Sequence, residues 1–192
     1  IMIGHKFHPE VIGTIGQAEN KENIILVEDV KDVEALDFKK NQKIAYVTQT
    51  TLSVYDTASI VKAIKERFPD ITEPKKSDIC YATSNRQLSV QELAKKVEAF
   101  YVIGANNSSN SVRLVETAKL FGSPHALLVQ NIDDFDFQSL KNYKNIGLTA
   151  SASAPEELIK KFVQKLEENY SITINDQKIP ENVKFKVPNF LN

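Results

Sequence analysis

Short apolar runs alternate with amphipathic stretches along most of the chain. Ile24–Val27, Ile44–Val47, Ala99–Ile103, Ala126–Val129 and Ile146–Thr149 read as strands. Between them lie stretches with helical spacing, around 30–36, 56–68, 90–98, 112–118 and 154–168. Strands alternating with helices predict βα units and parallel sheets. In the stretch 56–68, Ile60, Val61, Ile64 and Phe68 share one face, and Pro69 stops the helix. The clearest helix follows Ala154, with Leu158, Ile159, Phe162, Val163 and Leu166 on one side. Ser153 and Glu156 ahead of it have the spacing of a capping box. Another helix is expected to carry Val112, Val115 and Ala118 inward, and Val183–Val187 alternates as a tail strand should.

The expected fold class is α/β, with two similar small βα domains and mostly parallel sheets. Pro74-Lys-Lys-Ser77 is a polar break after which the alternation restarts. The expected boundaries are therefore 1–76, then 77–152 carrying Cys80, then 153–192 as a C-terminal helix and tail strand. The opening Ile1-Met-Ile-Gly4 reads as the end of a strand with nothing ahead of it, which suggests a fragment. The alternative is a short edge strand at a true start.

Composition narrows the classes. With 42% hydrophobic and 26% charged residues, 192 residues can bury an ordinary globular core. A net charge of −1 gives no basic field for nucleic acid, and no apolar run approaches the length of a membrane span. One cysteine excludes an internal disulfide and fits a reducing compartment. It also cannot by itself furnish a cysteine-ligated cluster or a structural zinc site.

The chemistry-bearing residues gather in polar loops where strands should end: 4–10, 48–53, 78–87, 106–111 and 149–153. In parallel sheets ligands bind at the carboxyl ends of strands, and helix starts there offer free N–H groups to anions. Plain helix capping explains any one such loop equally well. Cys80 is either a small buried hydrophobe or a thiolate acting as nucleophile or metal ligand. His5, His8 and Glu10 admit three readings: metal ligands, an anion-contacting histidine beside a proton-donating carboxyl, or a surface loop. Pro9 argues against the first. A Cys80–His8 nucleophile lacks an orienting third residue. Thr48-Gln-Thr-Thr51 offers hydroxyls that either orient a substrate or cap a helix, and His125 reads as structural.

Taken in order, His5-Lys-Phe-His-Pro-Glu10, Gly13-Thr-Ile-Gly-Gln17, Thr48-Gln-Thr-Thr-Leu-Ser-Val54, Asp78-Ile-Cys-Tyr-Ala-Thr83, Asn85-Arg-Gln87, Asn107-Ser-Ser-Asn110 and Thr149–Pro155 resemble one family. It is the 4-hydroxy-3-methylbut-2-enyl diphosphate reductases, and the similarity runs through essentially the whole chain. The resemblance implies three α/β domains around a central cavity and an oxygen-sensitive iron–sulfur cluster (4Fe-4S) held by three cysteines. It implies reductive removal of an allylic hydroxyl to give isopentenyl and dimethylallyl diphosphates. An electron donor such as ferredoxin or flavodoxin and a cytoplasmic or plastid location follow from it too.

By that resemblance Cys80 is a cluster ligand, His8 contacts the diphosphate and Glu10 relays protons. Thr50 lies near the substrate hydroxyl with Gln49 beside it, and Ser108, Ser109, Asn110 and Ser153 hold the diphosphate. The family's other two cysteines and remaining diphosphate-binding histidines belong to an N-terminal domain with no counterpart in this sequence. The chain is accordingly expected to be the second and third domains, not to retain a cluster, and to be inactive alone. The tail strand is expected to pack on the missing domain, leaving apolar surface prone to self-association. Ser151 stands where the family has glycine, a small-for-small change. The alternative function is a binding module for phosphorylated ligands without redox chemistry.

Overall fold

Met2 and Ile3 alone make the middle strand of the first sheet. In this computed structural model, which describes residues 1–39, 41–176, 183 and 187, β1 (Met2–Ile3) lies between β2 (Leu26–Val27) and β3 (Val47–Thr48). Met2 pairs with Leu26 and Val47, and Ile3 with Val27 and Thr48, all parallel. Both side chains are buried, because helices cover both faces of a central parallel strand. The expected alternative of an edge strand at this point is thus replaced by a central one. Of the run 24–27 only Leu26 and Val27 pair, the run 44–47 joins the ladder through Val47 with Thr48 beyond it, and a single bridge from Ala45 to Thr72 extends the sheet.

Around this sheet pack α1 (Pro9–Gly16), α2 (Val30–Ala35) and α3 (Val54–Arg67). Ile3, Val27, Val33, Ile60 and Ile64 form the centre of the first core, and Ile79 still belongs to it. A reciprocal capping box between Asp29 and Asp32 starts α2, and the Ser53 hydroxyl caps α3 by accepting from the Asp56 N–H.

In the second sheet β4 (Ala99–Ile103) lies between β5 (His125–Val129) and β6 (Ile146–Ala150), again all parallel. All five residues of β4 are buried. Phe100 and Val102 face α4 (Tyr81–Ala94) and α5 (Ser109–Leu120), meeting Val90, Leu114 and Ala118. Tyr101 and Ile103 face α6 (Glu156–Asn169) and the 3₁₀ turn Phe137–Asn142. Gly147 must lack a side chain, since a Cβ there would sit 2.5 Å from the Phe100 ring.

Several expectations change. The sequence sets 153–192 apart, whereas Phe162 and Leu166 of α6 are buried with β4 residues in the second core. The capping box from Ser153 does not form: Pro155 occupies the cap and makes no side-chain cap bond. Leu114 takes the inward position on α5, while Val112 is partly exposed. The helix expected at 90–98 runs instead over Tyr81–Ala94. The tail strand 183–187 lies outside the described residues except for Val183 and Val187.

Candidate functional site

The carboxyl end of β1 runs through Gly4 into the loop holding His5. Gly4 is forced by crowding, because a Cβ would meet Val11 at 2.6 Å and Gln49 at 3.1 Å. His8 caps α1, its Nδ1 accepting from the Glu10 N–H at 3.3 Å, and Pro9 sits in the first turn, where its missing N–H costs nothing. That geometry puts Glu10 at the helix start, where a negative charge is favoured. Its carboxylate reaches the loop after β3. Oε1 accepts from the Thr50 N–H at 2.9 Å and Oε2 from Thr50 Oγ1 at 3.0 Å.

Thr50 also joins the thiol segment, since its carbonyl accepts from the Cys80 N–H at 3.0 Å. Cys80 is the cap residue of α4, makes no side-chain cap bond and is exposed. The buried-hydrophobe reading of this thiol is therefore wrong. Two side chains on α4 fix that helix. Gln87, 1% exposed, donates to the Leu52 carbonyl at 2.8 Å and accepts from the Val54 N–H at 2.9 Å. Arg86 Nε donates to the Ala150 carbonyl at 3.2 Å.

The second sheet meets the first through hydroxyls. Gln49, fully buried, accepts from the His5 N–H at 3.1 Å and donates to Thr51 Oγ1 at 2.9 Å and to Ser109 Oγ at 3.4 Å. Thr51 Oγ1 donates to Ser109 Oγ at 3.1 Å. Ser108 caps α5, accepting from the Ser111 N–H. Beside it Ser151 Oγ accepts from Asn110 Nδ2 at 3.2 Å and lies 3.5 Å from Ser108 Oγ and 3.4 Å from Ser153 Oγ. Gly104 closes the floor: a Cβ there would lie 2.3 Å from Ser111 Oγ. Asn110 Oδ1 and Ser111 Oγ are buried without partners. A further bridge runs from Arg113 of α5 to His5. Arginine only donates, so His5 Nε2 accepts, at 2.8 Å. The same guanidinium pairs with Glu116 at 2.7 Å and reaches Asp56 of α3 at 3.7 Å.

The structure thus joins Glu10, Thr50 and Cys80 in one linked set, Gln49 and Ser109 in a second, and Ser108, Asn110 and Ser153 in a third around Ser151. His8 stands at the edge of the first through its bond to Glu10. His5, His8 and Glu10 do not converge, since His5 faces Arg113 and Glu28 while Glu10 faces Thr50. Among the described residues no group of three or more His, Cys, Asp or Glu side chains is placed to hold a metal ion. Sequence reasoning gave no role to Gln87 or Arg113 and too small a one to Ser151. The adjacency of Gln87 to Arg86 in a polar stretch otherwise reading as loop was the available signal.

Residues 1–167 match the family described as LytB protein. The chain belongs to the LytB family. It is 48% identical over all 192 residues to the 4-hydroxy-3-methylbut-2-enyl diphosphate reductase of Cereibacter sphaeroides (strain ATCC 17025 / ATH 2.4.3). Identity to the Roseobacter denitrificans reductase of the same description is 49% over the same length. In both cases this LytB chain spans 60% of the relative's length. Among solved structures, that of the E-1-hydroxy-2-methyl-but-2-enyl-4-diphosphate reductase from Plasmodium falciparum superposes with a TM-score of 0.87 at 41% identity. That match covers 99% of this chain and 60% of the other. The two parallel sheets and their junction are therefore the LytB arrangement.

Proposed function

We propose that this chain forms two walls of a 4-hydroxy-3-methylbut-2-enyl diphosphate reductase active site, acting on an allylic diphosphate alcohol in isoprenoid biosynthesis. The observation that carries the reading is the continuous link from the Glu10 carboxylate through Thr50 to Cys80. A proton source, a hydroxyl and a thiol are held together by one residue.

Cys80 suits one corner of an iron–sulfur cluster: its sulfur is exposed, at a helix start, and spends no bond on capping. One thiolate does not complete the set of three that the family resemblance implies, so the chain alone is expected to be inactive. When bound, the cluster supplies electrons and a Lewis-acidic iron for the substrate hydroxyl. The chain's own residues do the rest. Ser108, Ser109, Asn110 and Ser153, with His8, bind the diphosphate, and the start of α5 adds a favourable dipole. Thr50 Oγ1 orients the substrate hydroxyl. With Glu10 protonated at Oε2 the 3.0 Å bond reverses: Glu10 gives its proton to Thr50 Oγ1 as Thr50 gives its own hydroxyl proton to the substrate hydroxyl, which leaves as water. Two electrons and two protons in total replace the carbon–oxygen bond by a carbon–hydrogen bond.

The electrons come from a ferredoxin- or flavodoxin-type protein, and the setting is the cytoplasm or a plastid. Among the described residues no helix is long and apolar enough to cross a membrane. The test uses a polypeptide carrying the full length of the relatives, purified without oxygen. Cys80→Ser should remove the visible cluster absorption, whereas Glu10→Gln should keep the absorption and lose turnover. Full turnover in Glu10→Gln sinks the proton role, and an unchanged spectrum in Cys80→Ser sinks the ligand role.

A further inference from the structure

Among the described residues β3 is an edge strand, with β1 alone beside it. Its inward N–H groups go to β1: Val47 donates to the Ile1 carbonyl and Gln49 to the Ile3 carbonyl. An open edge leaves the alternate N–H and C=O groups unpaired. Here the segment 72–80 closes that outer edge. The Tyr46 N–H donates to the Thr72 carbonyl at 3.3 Å, and the Thr72 N–H to the Ile44 carbonyl at 2.8 Å. The next backbone donor of the edge, the Thr48 N–H, donates to Asp78 Oδ2 at 3.0 Å. Beyond it the Thr50 carbonyl accepts from the Cys80 N–H at 3.0 Å.

At Asp78 a side-chain oxygen therefore stands where a neighbouring strand would offer a carbonyl. Between the two rungs Ile79 is buried in the first core. Beyond Cys80 the chain enters α4, whose Val90 and Ala94 pack in the other core with Phe100 and Val102. The thiol thus lies at the crossing from one core to the next, tied on its N-terminal side to the unit that carries Glu10 and Thr50. Cys80 makes no side-chain cap bond, so these ties to its backbone place the sulfur. Among the described residues Asp78 forms no ion pair, and the Thr48 N–H is its partner.

We infer that Asp78 is a positioning residue: its bond to Thr48 sets the reach between the Cys80 sulfur and the Glu10–Thr50 pair. The inference rests on the proposed reading of Cys80 as a cluster ligand. Reach is what matters, and any acceptor at the same distance serves. The rival role is electrostatic, with the carboxylate acting through its charge two residues from the thiol.

The experiment uses the polypeptide carrying the full length of the relatives, purified without oxygen, in metal-free and cluster-loaded forms. Asp78→Asn keeps the reach and an acceptor oxygen but loses the charge. Asp78→Glu keeps the charge and lengthens the reach by one methylene. Amide hydrogen exchange at Thr48 and Cys80 is read in the metal-free form, and the electron paramagnetic resonance signal of the reduced cluster and turnover in the loaded form. Asp78→Asn should match wild type in exchange and signal, with turnover within about threefold. Asp78→Glu should speed exchange at both amides roughly tenfold, shift the signal, and lower turnover by about ten- to hundredfold. If Asp78→Glu behaves as wild type, or Asp78→Asn is as impaired as Asp78→Glu, the positioning role is overturned. Should Asp78→Glu fail to fold, Asp78→Ala takes its place with the same expected losses, and wild-type behaviour there overturns the role equally. Cluster absorption that survives Cys80→Ser brings down the ligand reading instead, while the metal-free exchange still decides whether Asp78 holds the segment, so the two failures are told apart.

Discussion

Glu10 holds Thr50 at two atoms at once, accepting from its backbone N–H at 2.9 Å and from its hydroxyl at 3.0 Å. Only the second bond depends on the threonine side chain. Thr50→Val should therefore keep the loop in place and interrupt the proton path. In the full-length protein we expect turnover to fall about a hundredfold, with Thr50→Ser within a few-fold of wild type. Steady-state product formation is the measurement, and wild-type turnover in Thr50→Val would falsify the relay through this hydroxyl.

Cys80 sits at a helix cap but makes no cap bond. Serine is among the best residues there, so Cys80→Ser should raise the stability of this chain by roughly 0.5–1 kcal/mol. A thermal melt that drops on this substitution contradicts the cap geometry. The variant separates chemistry from folding, because the same change removes the proposed cluster ligand.

Gln87 satisfies two backbone groups of the 52–54 turn from inside the protein. Gln87→Leu fills similar volume but leaves the Leu52 carbonyl and the Val54 N–H unpaired. Urea unfolding should show a loss of about 2–4 kcal/mol. A loss under half a kcal/mol would mean that water replaces the amide.

Backbone N–H groups of Asn145 and Lys144 hold the Glu98 carboxyl below its ordinary range. A hydrogen bond from Lys161 does the same for Asp133, and one from Lys65 for Glu73. A carboxyl depressed in the folded state stabilises it above the ordinary value, and that contribution vanishes as pH falls through the folded value. Stability should therefore be level above about pH 5 and fall below about pH 4.5. Glu98→Gln should lower the urea midpoint at pH 7 more than at pH 3. Equal shifts at both would show that proton linkage at Glu98 is not involved.

Phe162 tests where α6 belongs. It is fully buried and contacts the rings of Tyr101, Phe135 and Phe137. Phe162→Ala should cost about 3–5 kcal/mol and unfold the second unit first in native-state hydrogen exchange. If only the helix frays while β4 stays protected, α6 is an appendage and the boundary at 153 stands.

The second sheet was legible in the sequence because β4 is buried on both faces and so is apolar throughout. The first sheet was less so, since its strands pair over two residues each and leave no period to count. The first half of α4 was missed because its inward residues include Thr83 and Gln87 rather than aliphatics. The capping box failed for a related reason: the Ser153 hydroxyl lies 3.4 Å from Ser151 Oγ rather than capping α6. Wherever side chains serve the crevice they stop reporting secondary structure. Conversely, the polar loops 4–10, 48–53, 106–111 and 149–153 each follow a strand, while 78–87 leads into and begins α4, so their order along the chain carries the family resemblance.

Among the described residues all six strands run in one sense within their sheets, and the Gln49–Ser109 contact joins the two leading ends. The trailing turns, around residues 17–24, 95–98 and 121–124, lie at the far side of each sheet. A molecule so arranged separates its reactive front from an idle rear. Of these turns, the exposed 19–23 is where an affinity handle or fluorescent label will be tolerated, whereas Glu98 and the buried Ser123 tie the other two into the fold.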